Sequence, residues 1–214
     1  MNKKLMWSIR GCFLLYFIYL FLFVQGTFSF LLLNTFLGYI PIELAFHLHP
    51  DKPRSNWLFW PITVLWLLFF PNAPYLLTDL IHLTLLHAYN LSTGLIRNDP
   101  YIWINFTYLL ISTVVCTNLG MWSVNHVANV MLARFHWPSK RTKLVFVPLL
   151  LLLSSIGIYI GRFLRIHTVY LLTPSLIIKP ILTMWSPRML LFTFLLFIVQ
   201  MMIYGTLEIF KHSH

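Results

Sequence analysis

The sequence predicts an all-α, polytopic transmembrane helix bundle of about six spans, plus one amphipathic helix that is interfacial or re-entrant. Three observations predict it. Of 214 residues, 59% are hydrophobic and 17% aromatic, and only 9% are charged. A soluble domain carries roughly 25% charged residues, so too few remain here to coat a water-facing surface. The apolar residues also gather into runs close to the ~20 residues that a helix needs to cross a hydrocarbon core. Between those runs stand the basic residues, 15 Lys and Arg against 5 Asp and Glu.

The positive charge is dispersed along the chain rather than drawn into one stripe, and no nucleic-acid motif accompanies it, so no nucleic-acid partner is expected. Lys and Arg instead set orientation and meet anionic head groups, which makes membrane lipids the expected partners. No internal repeat, linker or low-complexity tract divides the chain, and residues 1–214 read as a single integral membrane domain.

The first apolar run extends from Gly11 to Val24 behind Lys3, Lys4 and Arg10. Val24-Gln25-Gly26 loosely fits a leader cleavage site, but the run before it consists of large residues, which favours a retained span. The second run covers Thr27 to Phe46, the third Trp57 to Phe70, and the fourth Tyr101 to at least Trp122. The fifth covers Leu144 to Phe163 and the sixth Met189 to about Leu207. Leu171 to Trp185 is apolar but broken by Pro174 and Pro180, and is expected to be interfacial or re-entrant. Cys12 and Cys116 fall in separate spans and read as small apolar residues rather than a disulfide or a zinc site.

Orientation follows from the positive residues. With the N-terminus inside, ten of the fifteen Lys and Arg lie on inner segments, among them Lys52, Arg54, Lys140 and Lys143. Both termini are therefore expected in the cytoplasm and the protein in the plasma membrane. Four of the remaining five (Arg162, Arg165, Lys179 and Arg188) cluster after the fifth span, on the disfavoured side. Arginines kept there point to an occupation, such as a carboxylate, a phosphate or lipid head groups.

Ionisable residues inside apolar runs are costly and call for partners. Asp51, Asp99 and Glu208 fall in loops or at a helix end and read as solvated. Glu43 lies near the inner end of the second run, within reach of water beside Lys52 or Arg54. Asp79 follows Pro71-Asn72-Ala73-Pro74-Tyr75. The prolines should end the third span, with Asn72 as N-cap of a new helix and Pro74 in its first turn. At 100° per residue Tyr75, Thr78, Asp79, His82, Tyr89 and Asn90 then share one polar stripe. Asp79 and His82, three apart, are the candidate acid/base pair, although head-group anchoring or pairing with arginine is the plainer reading. Two ligands make no metal site and no metal motif is present, so no metal or other cofactor is expected.

Asn34, Gly38, Pro41 and Ala45 share a face of the second span, and Asn34 is deep enough to need a partner in another helix. Ser154, Gly157, Gly161 and Arg165 share a side of the fifth. Gly157 and Gly161 form a small-xxx-small pair suited to close packing. Asn105, Ser112, Cys116, Gly120 and Ser123 form a comparable seam on the fourth.

Three of these stretches carry a resemblance. Phe70-Pro71-Asn72-Ala73-Pro74-Tyr75 running into Thr78-Asp79-Leu80-Ile81-His82-Leu83 resembles the most recognisable motif of domain of unknown function 1361, a family of bacterial integral membrane proteins. Asn34-Thr35-Phe36-Leu37-Gly38-Tyr39-Ile40-Pro41 and Gly161-Arg162-Phe163-Leu164-Arg165 look like its other two blocks, in the same order and spacing. The family pattern continues with Asn-Ser-Trp-Asp, where this chain has Ile166-His167-Thr168-Val169-Tyr170 and no carboxylate. The resemblance implies a multi-span membrane fold and no established activity.

The expected ligand-binding set is Asn72, Tyr75, Asp79 and His82 with Arg162 and Arg165. One function it fits is binding a lipid or envelope-precursor head group, or partnership with envelope or transport proteins. Another is an enzyme on a lipid-linked substrate, with Asp79 or His82 as base. A small transporter is the third, disfavoured because no inverted repeat or polar midplane pathway is visible.

Overall fold

A computed structural model describes residues 2–51, 53, 55–136, 139–166 and 175–212. The described residues are helical and turn structure, with one isolated bridge between Tyr89 and Ile96. Six helical segments are long and apolar enough to cross a membrane: Lys3–Phe23, Gly26–Phe46, Asn56–Leu86, Pro100–Arg134, Arg141–Leu164 and Pro187–Lys211. Lys52, Arg54 and the 167–174 stretch, all used in the charge and motif readings, lie outside the described residues.

Helix α1 (Lys3–Phe23) begins well before the apolar run, because the Asn2 side chain caps it by accepting from the Lys4 N–H at 3.2 Å. A 3-10 turn (Gly26–Phe28) leads into α2 (Phe30–Phe46). Helix α3 (Asn56–Phe69) is followed by α4 (Asn72–Asp79) and a 3-10 segment, Leu80–Leu86. Helix α5 (Pro100–Arg134) has Pro100 in its first turn and Asp99 as N-cap, with Oδ1 accepting from the Tyr101 N–H at 3.0 Å. Asp99 thus has a structural part as well as solvent. Helix α6 (Ser139–Tyr159) runs into a π turn (Ile160–Leu164), and α7 (Ser175–Thr183) and α8 (Pro187–His212) complete the chain.

The proline-rich junction departs from expectation. Phe70 and Pro71 both keep right-handed helical angles, so the chain bends from α3 into α4 with no extended residue between them. Asn72 is therefore the first helical residue and not an N-cap; its Nδ2 donates back to the Phe69 carbonyl at 3.0 Å. The polar stripe also stops early. After Asp79 the helix tightens to 3-10 geometry, and Tyr89 and Asn90 lie beyond it. Asp79 is fully buried whereas Ile81 is 64% exposed, so the carboxylate side of α4 faces the bundle.

Helix α5 is the central element and packs against α2, α4, α6 and α8. One core gathers Phe59, Trp66, Phe70, Met121, Val124 and Leu151 from α3, α5 and α6. A second gathers Phe13, Leu31, Ile42, Leu76, Leu109 and Cys116 from α1, α2, α4 and α5. Helices in lipid gain no hydrophobic drive toward one another, so close packing and polar staples hold them. Trp66 Nε1 donates to Ser123 Oγ at 3.2 Å, and Gln200 Nε2 donates to Ser155 Oγ at 2.7 Å. The outer faces remain apolar: Leu15, Phe21, Leu190 and Phe194 are exposed, as lipid contact requires. Exposed Trp7, Trp57, Tyr101, Trp103 and Trp185 stand toward span ends, where aromatic rings anchor helices at a membrane interface.

Glu43 finds a partner that the sequence did not single out. It is held by Arg10 of α1, with Nη2 to Oε1 at 2.5 Å and Nε to Oε2 at 3.0 Å, and by the Tyr39 hydroxyl at 2.6 Å. Its position on α2 faces the basic end of α1, so it ties the first helix to the second. Glu208, expected to be solvated, lies 3.5 Å from Lys143 Nζ and 4.0 Å from Lys211 Nζ.

Candidate functional site

Glycines decide how α4 sits. A Cβ on Gly120 of α5 would stand 2.7 Å from the Ala73 Cβ. One on Gly38 of α2 would stand 2.9 Å from Leu76 Cδ1 and 3.3 Å from the Asn72 carbonyl oxygen. On α6, Gly157 would bring a Cβ to 3.0 Å from the Pro71 ring, and in the π turn a Cβ on Gly161 would stand 3.7 Å from the Tyr75 ring. Pro71 to Leu76 is thus gripped from three helices at positions that have no side chain to spare. Thr113 of α5 adds a hydrogen bond to the Leu76 carbonyl at 3.0 Å.

Seating α4 in that socket carries Thr78 and Asp79 inward. Asp79 Oδ2 accepts from Asn34 Nδ2 at 2.7 Å, and Oδ1 accepts from Arg162 Nη2 at 2.6 Å. The same guanidinium donates through Nη2 and Nε to Thr78 Oγ1, at 2.7 and 3.1 Å, while that hydroxyl donates to the Tyr75 carbonyl at 2.7 Å. Arg162 also lies over the Tyr75 ring, 4.5 Å from its centroid. A buried ion pair is tolerated only when its remaining hydrogen-bonding capacity is met, and here Asn34 and Thr78 supply the further partners. The arginine fork reaches a carboxylate, one of the occupations expected of it.

The other expected residues surround this pair unevenly. His82 Nδ1 is 2.9 Å from the Asp79 backbone carbonyl and 3.8 Å from Oδ1, so its hydrogen bond is to the backbone rather than to the carboxylate. Its ring packs on Phe30, centroids 4.4 Å apart. Arg165 is exposed and sits in the left-handed region at φ 54°, directly after the π turn. That turn changes the helical register, so the expected alignment of Arg165 with Ser154, Gly157 and Gly161 does not hold. Both cysteines are free, Cys12 exposed and Cys116 buried, and among the described residues no three His, Cys, Asp or Glu side chains gather.

Beside the ion pair lies a cavity of about 590 Å³. Leu33, Leu37 and Ile40 of α2 form one wall, Leu68 and Phe69 of α3 another, and Ile158 and Ile160 face them. Ile177 and Ile181, one turn apart on α7, also border it. Its polar lining comes from Asn34, Asn72 and Tyr75. Asp79 and Arg162 stand behind these residues and do not line it.

Asn34-to-Pro41, Phe70-to-Leu83 and Gly161-to-Arg165 therefore converge on one place. A family model described as "Protein of unknown function (DUF1361)" matches residues 33–203, which include all three stretches. The chain belongs to the DUF1361 family. No curated protein and no solved structure matches it. The DUF1361 match takes in Asn34, Thr78, Asp79 and Arg162 together, whereas α1 and its Arg10 lie outside the matched residues. Thr78, on the expected polar stripe, is the site residue left out of the expected ligand-binding set. Its adjacency to Asp79 was the available signal, but a helical threonine ordinarily bonds its own backbone.

Proposed function

We propose that this protein is a lipid-binding component of a bacterial plasma membrane, holding a lipid or lipid-linked envelope precursor at the outer boundary with both termini in the cytoplasm. The observation that carries the proposal is the cavity between α2, α3, α6 and α7. Its volume of about 590 Å³ falls within the roughly 300–1,000 Å³ of ordinary ligand sites, and its apolar walls with a few polar groups at one part match their chemistry. An apolar crevice at membrane depth takes up hydrocarbon rather than water.

The same geometry weighs against Asp79 as a general base. Both carboxylate oxygens already have protein partners and the residue is wholly buried, whereas a base must reach the proton it removes. A role as partner in an envelope or transport complex is compatible with lipid binding and is tested in the same experiment.

Lipids and proteins copurifying with the wild type are compared with those copurifying with Leu37→Trp, which fills the cavity from α2. A Val115→Trp variant, placed in the separate apolar groove between α1 and α5, serves as control. Loss of a defined lipid species from Leu37→Trp alone is the expected result. The same lipid profile in all three refutes the proposal, and loss of a protein with lipid unchanged favours the complex-partner role.

A further inference from the structure

The cavity's polar lining indicates which head-group chemistry belongs there. Arg162 is paired with Asp79 at 2.6 Å, donates through Nε and Nη2 to Thr78, and does not line the cavity. An anion that drew Nη2 away would leave a buried carboxylate unpaired. The ion pair is therefore a wall, not an anion hole.

Of the remaining polar lining, the Tyr75 hydroxyl can donate or accept, whereas the two asparagine amides are fixed. Asn34 donates through Nδ2 to the Asp79 carboxylate at 2.7 Å, and Asn72 donates through Nδ2 to the Phe69 carbonyl at 3.0 Å. Neither amide can be turned round, because its oxygen would then face another acceptor. In both, the atom left without a partner among the described residues is Oδ1, a hydrogen-bond acceptor. Neither atom is sealed from access, since both residues are only partly buried and both line the cavity. Two neutral acceptors call for a donor. A phosphate oxygen is itself an acceptor and a quaternary amine has no N–H to give, so neither satisfies these atoms. A hydroxyl donates to them without bringing charge.

We infer that the cavity selects lipids whose chain-proximal polar group carries free hydroxyls, of the sugar or glycerol type, over lipids that present only a phosphate or a quaternary amine. The inference rests on the lipid-binding reading above and specifies its ligand. Chain occupancy comes from the apolar walls, and discrimination among head groups comes from Asn34 and Asn72.

The test uses the full chain, delipidated in detergent and offered equimolar lipids of identical acyl chains, with bound species read by native mass spectrometry. The decisive pair is glucosyl-diacylglycerol against phosphatidylcholine, because neither has net charge and only the first has hydroxyl donors. Phosphatidic acid and phosphatidylethanolamine form the anionic and ammonium arms. Wild type is expected to retain the glucosyl lipid about five-fold or more over phosphatidylcholine, the scale of one or two neutral hydrogen bonds. Asn72→Ala should lower that ratio at least two-fold, Asn34 remaining, while total retained lipid stays unchanged, and a melting curve checks that the variant is folded.

Retention of no lipid by the wild type overturns the lipid-binding reading together with this inference. Retention led by phosphatidic acid, phosphatidylethanolamine or phosphatidylcholine overturns the inference alone. A glucosyl preference undiminished in folded Asn72→Ala also overturns it, because the discrimination then lies elsewhere.

Discussion

Arg162 and Asp79, 83 residues apart, meet at 2.6 Å with the aspartate wholly buried. The pair joins α4 to the π turn that ends α6, and Asn34 joins both to α2. One carboxylate thereby gathers three elements at a membrane boundary, and the cavity opens beside it.

Removing one partner should be far worse than removing both. Asp79→Leu or Arg162→Met alone leaves an unmatched buried group, and each should lower stability by about 3–5 kcal/mol. Asp79→Leu with Arg162→Met removes both charges, and the double variant should recover at least half of that loss. Thermal melting in one fixed detergent across the four proteins measures the coupling; additive losses would show that the two residues do not act together.

The glycine contacts predict an order of severity. Gly120→Ala forces a methyl against Ala73 and should cost about 1–3 kcal/mol, since neither backbone can easily retreat. Gly38→Ala meets the far end of the Leu76 side chain first and should cost less. Gly205→Ala, with nothing within 4 Å of the new methyl, should be neutral or slightly stabilising because alanine favours the helix. Melting curves of the three variants rank them, and a Gly205→Ala loss equal to that of Gly120→Ala would contradict the socket.

Arg165 occupies a left-handed backbone position that suits glycine better. Arg165→Gly should therefore hold or raise stability, by up to about 1 kcal/mol. Arg165→Val, β-branched, should lower it at the same position. If Arg165→Gly melts well below the wild type, the side chain has a structural contact that outweighs its backbone strain.

Topology can be checked from two exposed positions. Thr93→Cys in the α4–α5 connection and Ser55→Cys ahead of α3 lie at opposite ends of the third span. A membrane-impermeant thiol reagent applied to intact cells should label the Thr93→Cys variant, and should reach the Ser55→Cys variant only after permeabilisation. The native cysteines lie inside spans and should stay silent. Labelling of both variants from one side would overturn the crossing pattern.

The sequence by itself determined the solvent, the helical class and the number of apolar crossings. Those properties depend on composition and run length, which any segment carries whatever its neighbours are. It also marked Asn34, Asp79 and Arg162 as residues that need partners, because a polar group in hydrocarbon is costly wherever it sits. It did not determine which partner each would find. Glu43 reads in sequence as reaching water beside Lys52 or Arg54, and the sequence did not single out Arg10 of α1, which holds it. Pairing with an arginine is the plainer reading for Asp79, yet the sequence did not choose Arg162 over Arg165 or bring Asn34 of α2 to the same carboxylate. Helical periodicity fixes the angle of a residue about its own axis and says nothing of how one helix is turned against the next. Here that turn was decided by where Gly38, Gly120 and Gly157 let α4 come close, and by the π turn that shifts Arg162 out of ideal register.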